Sequence, residues 1–463
     1  MKKAPLILFV LLFFSCEKRN IPTSNQIKED SSDFTFNPYQ VPDSLLIPNS
    51  YLVLMNEKKF EPVLSESNAG LLSDSIEVKA LEKKIYGQLI EFAKEKGLQI
   101  DPNQVLVNSL TGFVLENVEL SKLKELKADK QNIARIQQNF RLGMETIRAR
   151  MQSDVLAQTV RARMQENPQW GYDEENFTSK AIIYLAGTDR KINKQNKIWV
   201  VDSGIDKDHQ DLKNQVDQNL SRSFVLRNAS VFDSNPFFDF WGHGTHCAGL
   251  AAAKSMNQGN PDRRLIGMNG VAPGAPLVSL KVFGQEGYAE FTWVLQALEY
   301  ASSRSRLKEG DVISMSLGGR VSDCAQDGLM AQMLRISNFY KVSIVVAAGN
   351  GYFWTGEPAS GFLPACVNGE KIYTIGSVDL DYLSPSPQVN FSAFSNYGLP
   401  PIDWVVPGNM IFSTYPNDKY AVMGGTSMSA ALMSGLLYLS QGNIRTKTTV
   451  ADQQGNTYPI PEK

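Results

Sequence analysis

The sequence predicts an α/β protein, a parallel sheet sandwiched by helices, preceded by a small α+β domain. Three observations carry this. Between about 177 and 441, short Val/Ile-rich runs alternate with helical stretches, the pattern of a sheet buried on both faces. Residues 48–142 carry candidate elements in the order β-α-β-β-α-β, the split βαβ or ferredoxin-like arrangement. The chemically distinctive residues of the second half follow apolar runs: Asp202 after WVV, Ser316 after VISM and Asn350 after VVAAG. Ligands meet open parallel sheets at those carboxyl ends.

The chain begins MKK and continues PLILFVLLFF. That run is shorter than the ~20 residues needed to span a bilayer, and it suits the core of a secretory signal. Ser15-Cys16 follows. Residues 1–16 therefore resemble a bacterial lipoprotein signal with Cys16 as the lipidated residue. An ordinary signal peptide with an incidental cysteine is the alternative. Residues 17–47 are polar and loosely patterned and read as a flexible tether.

In the small domain, YLVLM (51–55) is the first strand candidate. Residues 74–96 place Val78, Leu81, Ile85, Leu89 and Phe92 on one helical stripe. QVLVNSL (104–110) and TGFVLENV (111–118) read as strands, SKLKELKAD (121–129) as a helix and NIARIQQNF (132–140) as a last strand. Residues 143–170 are helix-like and basic, and IRARMQSD recurs as VRARMQEN. Two short copies do not make a solenoid; the segment reads as a basic linker between domains, either simply a solvated helix or one that also holds a processing site. The large domain is expected over 171–463.

Within it, KIWVVDSG, PLVSLKVFG, GDVISMSLGG, VSIVVAAGN, KIYTIGSVD and IDWVVPG are the strand candidates. HCAGLAAA, FTWVLQALEYASSR and AQDGLMAQMLRISNFY are helical between them. After 441 a strand or hairpin on the sheet edge is expected. Lys+Arg total 46 and Asp+Glu 48, a balance that speaks against a dedicated nucleic-acid binder.

Amide hydrolysis by a serine needs a base, an anion that orients it, and donors for the developing oxyanion. Three histidines occur, His209, His243 and His246. His243 lies between Gly242 and Gly244, which allow close backbone approach. It is the candidate base; a metal reading of His243 and His246 finds no HExxH pattern and no cysteine pair. Asp202 is the candidate carboxylate, or a turn residue. Ser427, after Gly424-Gly425-Thr426, opens an apolar helix. There free N–H groups and the helix dipole favour negative charge, which suits a cap as well as a nucleophile. Asn350 is the candidate side-chain donor.

VDSGID, HGTHCAG, SLGG, AAGN and GGTSMSA, in this order, resemble the motifs of the subtilisin-like serine proteases, or subtilases. The resemblance runs from about 168 to 441. It implies Asp202, His243 and Ser427 as catalytic triad and Asn350 as oxyanion-hole donor. Position 431 is alanine where the family usually has proline; both suit a first helical turn. SMSLGG (314–319), including Ser316, Leu317, Gly318 and Gly319, and GQEGYAE (284–290), with Gly287, resemble the two strands that flank substrate. Ala347, Ala348 and Gly349 resemble a wall of the pocket for the residue before the scissile bond. Nothing acidic dictates basic substrates, so broad specificity with an apolar bias is expected. Residues 48–142 resemble the inhibitor-type prodomain of these enzymes.

Cys247 is expected as a packed free thiol, and Cys324 and Cys366, both in loops after sheet strands of an exported domain, as a disulfide. No cofactor is required for the chemistry. Many subtilases bind structural calcium and Asp211 matches a ligand position, but the loop 254–270 differs and no metal site is assigned. The expected function is an exported serine endopeptidase acting on polypeptides through an acyl-enzyme on Ser427. Its own prodomain would serve as chaperone and inhibitor. It would sit at the bacterial cell envelope, lipid-anchored through Cys16, or be released after processing. A catalytically silent envelope lipoprotein that uses the fold for binding is the alternative.

Overall fold

The computed structural model describes residues 41–463 apart from 66–67, 69–75, 145–170, 187–191, 193–194, 227–229, 257–266, 304–305, 322–323, 325–327, 352–354 and 383–386. The signal segment, Cys16, most of the tether and nearly all of the linker lie outside the described residues.

Residues 46–144 form β1 (Leu46–Met55), α1 (Ile76–Glu95), β2 (Val105–Leu106), β3 (Gly112–Glu116), α2 (Leu120–Ala128) and β4 (Ile133–Met144). The strands are antiparallel in the order β4-β1-β3-β2. α1 buries Val78, Ile85, Leu89, Phe92 and Ala93 on the sheet, while Leu81 of the same stripe is half-buried. Phe92 packs against Phe60 and Phe113. Each of the larger side chains, Val78, Ile85, Leu89 and Phe92, contributes ~1.5–3 kcal/mol of transfer free energy on full burial.

Three boundaries differ from expectation. The tether ends earlier, because Leu46 already pairs with Phe140. The strand expected over 104–110 shrinks to β2, because the N–H groups of Val107, Asn108 and Ser109 are taken by the Glu299 carboxylate instead of a ladder partner. β4 runs to Met144, beyond the expected strand end at 140 and the expected domain end at 142, because its last residues find new strand partners outside the small domain.

The remainder opens with β5 (Tyr172–Asp173), β6 (Thr178–Ser179) and α3 (Lys180–Ala186). Then follow β7 (Ile198–Asp202), β8 (Arg222–Ser223), α4 (His243–Ala252), β9 (Leu277–Lys281), β10 (Ala289–Glu290), α5 (Phe291–Ser302) and β11 (Val312–Met315). After these come β12 (Leu317–Arg320), α6 (Leu329–Tyr340), β13 (Ser343–Ala347), β14 (Phe362–Leu363), β15 (Ile372–Leu380), β16 (Val389–Phe391) and β17 (Ile402–Pro407). The chain finishes with β18 (Ile411–Tyr415), β19 (Lys419–Met423), α7 (Thr426–Ser440), β20 (Arg445–Ala451) and β21 (Thr457–Glu462).

The main sheet has the order β16-β15-β13-β11-β7-β9-β8, with β17 also beside β15. Its pairs are parallel except β15 with β16. The run GDVISMSLGG, expected as one strand, divides at Ser316: β11 stays in this sheet and β12 leaves it to pair with β4 and β14. All of α4 and Thr426–Leu439 of α7 are buried, as befits helices enclosed by a core. They cross closely at Gly435, where a Cβ would come within 2.8 Å of the Ala251 carbonyl oxygen. β20 and β21 form the C-terminal hairpin.

Candidate active site

Asp202 is the last residue of β7 and His243 the first of α4. Asp202 Oδ1 lies 2.7 Å from His243 Nδ1, and both side chains are 2% exposed. Two local features bring them together. Gly244 faces Asp202 and the Gly204 carbonyl so closely that a Cβ there would collide with that oxygen. Gly242 turns the chain into α4 at φ +69°, with Tyr415 packed where a side chain would be.

Behind them sits Asp239, which the sequence reading missed. Its Oδ1 accepts from Ser203 Oγ at 2.7 Å and Gly242 N at 2.8 Å, and its Oδ2 from Thr245 N at 2.8 Å. It thus satisfies N–H groups at the start of α4. Burial pushes its carboxyl up while those donors oppose the shift. An aspartate four residues before the histidine was the available signal.

Ser427 stands at the N-terminus of α7. Its Oγ donates to the Ser316 carbonyl at 3.2 Å, and its own carbonyl accepts from Ser316 Oγ at 3.0 Å. Asn350 accepts through Oδ1 from Thr426 N at 2.8 Å and Thr426 Oγ1 at 3.1 Å. This fixes Nδ2 as the end of the amide that can donate to a substrate oxygen. Gly349 N donates to Thr426 Oγ1 at 3.1 Å, tying the end of β13, with Ala347 and Ala348 before it, to the same helix start.

The other histidines serve the scaffold. His246 places Nε2 3.1 Å from the Ile411 carbonyl and 3.2 Å from that of Ala421. Burial, reinforced by the charge of His243, lowers its pKa to about 3. His209 Nε2 lies 2.9 Å from the Lys419 carbonyl. Cys247 is a buried free thiol whose pKa burial pushes well up. Asp211 accepts from Met256 N, Met268 N and Tyr420 OH at 3.0, 2.7 and 2.6 Å.

The segments expected to flank substrate hold β4. Leu317 pairs with Met144 and Gly318 with Gly143, while Ala289 pairs with Leu142 and Glu290 with Arg141. Asn139 reinforces this through Nδ2 to Glu290 Oε2 at 2.7 Å and Thr292 Oγ1 at 2.9 Å. Gly319 pairs with Leu363 of β14. Gly287 is not part of a strand, contrary to expectation: at φ +81° it closes a turn in which its N–H donates to Gly284, and Trp241 covers it. Cys324 and Cys366 are disulfide-bonded, joining the segments after β12 and β14.

A parallel α/β sheet with Asp, His and Ser in that chain order, an imidazole held by a carboxylate and a serine at a helix N-terminus define a serine hydrolase. The model of the subtilase family, peptidase S8, matches residues 193–452. The chain belongs to that family and is a subtilisin-like serine protease.

The major intracellular serine protease of Bacillus subtilis (strain 168) is 36% identical over 247 residues, which are 53% of this chain and 68% of that protein. Thermitase of Thermoactinomyces vulgaris is 34% identical over 248 residues, 53% of this chain and 75% of its own. Among solved structures, the epidermin leader peptide processing serine protease (EpiP) of Staphylococcus aureus aligns with a TM-score of 0.53 at 20% identity. That alignment covers 84% of this chain and 87% of the other, a likeness of fold alone.

Proposed function

We propose that the protein is a serine endopeptidase made as a proenzyme, with residues 46–144 as a ferredoxin-like prodomain whose last strand occupies the substrate position. The observation that carries this is β4, held between β10 and β12, where β12 begins directly after Ser316, the residue hydrogen-bonded to Ser427. An added antiparallel strand is how an extended polypeptide binds an exposed edge, and the chain supplies one itself.

In the reaction, His243 takes the Ser427 hydroxyl proton as Oγ attacks the peptide carbonyl. Asp202 holds the imidazole through Nδ1 and stabilises its charge. Asn350 Nδ2 and the Ser427 backbone N–H receive the oxyanion. His243 then returns the proton to the leaving amine, and water repeats the sequence to release the acyl group. Protein side chains and backbone suffice, without a cofactor. The N-terminal pattern ending at Cys16 supports export and lipid attachment to the cell envelope, with release of the catalytic domain if the linker is cut.

A fluorophosphonate probe tests the chemistry. It labels the wild-type chain on Ser427, and Ser427→Ala abolishes both labelling and self-processing. Proteolysis retained by that variant would sink the assignment. N-terminal sequencing and mass spectrometry of the mature protein test the rest: a diacylglyceryl-modified Cys16 fragment is expected in the membrane fraction, and an unmodified cysteine there contradicts the anchor.

A further inference from the structure

The register of β4 on β12 states what a bound peptide does next. With Met144 opposite Leu317 and Gly143 opposite Gly318, a peptide strand added in that register places its following residue opposite Ser316. Ser316 is the residue whose carbonyl and hydroxyl meet Ser427. The peptide residue opposite Ser316 therefore brings its carbonyl to the nucleophile and stands immediately before the scissile bond.

Side chains alternate along a strand, and directly opposed residues share a face. That peptide side chain thus falls on the face shared by Ser316 and Gly318. At Gly318 this face is occupied. A Cβ there would lie 2.9 Å from Phe362 Cε1 and 3.1 Å from Cδ1. From the other side, a Cβ on Gly349 would lie 2.9 Å from Cδ1 and 3.0 Å from Cε1 of the same ring. One edge of Phe362 therefore sits between the two glycines. Phe362 as a whole is 9% exposed. Its backbone is fixed by the pairing of Phe362 with Arg320 and by Cys366 N donating to the Phe362 carbonyl at 2.8 Å, with Cys366 itself in the disulfide.

We propose that Phe362 is the floor of the pocket for the residue before the scissile bond, and that it restricts this residue to glycine, alanine or serine. This rests on the protease reading above and replaces the broad apolar preference expected from the sequence. A floor held by a ladder, a disulfide and two glycines yields little, and forcing extra volume into a packed site is unfavourable.

The test uses the full chain, incubated until self-processing is complete, and peptide anilides identical except for Gly, Ala, Ser, Leu or Phe before the scissile bond. The readout is the ratio of kcat/KM for Phe over Ala, which is independent of how much enzyme is folded. In the wild type Ala exceeds Phe by at least tenfold. Phe362→Ala and the milder Phe362→Val each raise the Phe/Ala ratio by tenfold or more. A wild type that cleaves after Phe as fast as after Ala overturns the proposal, as does an unchanged ratio in both variants. Fluorophosphonate labelling of Ser427 separates the two levels: labelled enzyme without discrimination overturns the floor alone, while absent labelling and cleavage overturn the protease reading and the floor with it.

Discussion

The Glu299 carboxylate on α5 holds Ser109 of the small domain twice, accepting from its backbone N–H at 3.1 Å and its hydroxyl at 2.8 Å. The same carboxylate takes Val107 N at 2.7 Å, Asn108 N at 2.6 Å and Asn108 Nδ2 at 3.0 Å. One buried anion thus satisfies three consecutive backbone donors. Removing it leaves them unpaired, at ~1–3 kcal/mol for each that stays buried. Glu299→Ala is expected to raise amide exchange at Val107, Asn108 and Ser109 by tenfold or more in the unprocessed chain, with Glu299→Gln in between. Unchanged protection would show that the small domain is anchored elsewhere.

Asn350 is held at its acceptor end by Thr426, so the substitution that matters is one that keeps volume and removes the donor. Asn350→Leu is expected to lower kcat ~10²–10³-fold while KM moves by less than about threefold. A loss confined to KM would assign Asn350 to ground-state binding.

His246 makes the fold sensitive to acid. Its pKa is lowered to about 3 in the folded state, against ~6.5 in an unfolded chain. The unfolded state binds the proton more readily, so the stability this group contributes is fully present above about pH 6.5 and falls away toward pH 3, by up to ~1.4 kcal/mol per pH unit. Denaturant midpoints between pH 7 and 4 should fall more steeply in wild type than in His246→Asn. Parallel curves would rule out this histidine as the cause.

The Cys324–Cys366 bridge closes a loop with a sequence separation of 42, for which chain-entropy arithmetic gives a stabilisation of ~4 kcal/mol as an upper figure. Replacing both cysteines by serine should lower Tm by up to about 10 °C. An unchanged Tm would mean that the bridge adds nothing to the folded domain's stability.

The main sheet was legible because its strands are buried on both faces and read as uninterrupted Val/Ile runs. The region around Ser427 was legible for a different reason: Gly242, Gly244 and Gly349 mark places where atoms of another segment need the room. What crosses between segments left weaker traces. The extension of β4 past 140 depends on partners far downstream, Glu290 and Ala289 for Arg141 and Leu142 and then Gly318 and Leu317 for Gly143 and Met144, and no local pattern announces them. Glu299 did leave a sign, a carboxylate inside the apolar stretch FTWVLQALEY, but its partners 107–109 looked like an ordinary strand. Phe362 left none, since a phenylalanine after a glycine is unremarkable until Gly318 and Gly349 are seen on either side of its ring.

If β4 is the inhibitory strand of a proenzyme, as proposed above, its placement has a consequence for how the molecule is switched on. While the chain is continuous, the strand between β10 and β12 faces the cleft at an effective concentration that can reach the millimolar range, and micromolar substrate competes poorly with it. Once the connection is cut, the same strand obeys ordinary mass action, and its hold weakens as the molecules spread apart. Activity would then follow dilution. On that reading, protein crowded together would stay quiet, and the same protein dispersed into a larger volume would work.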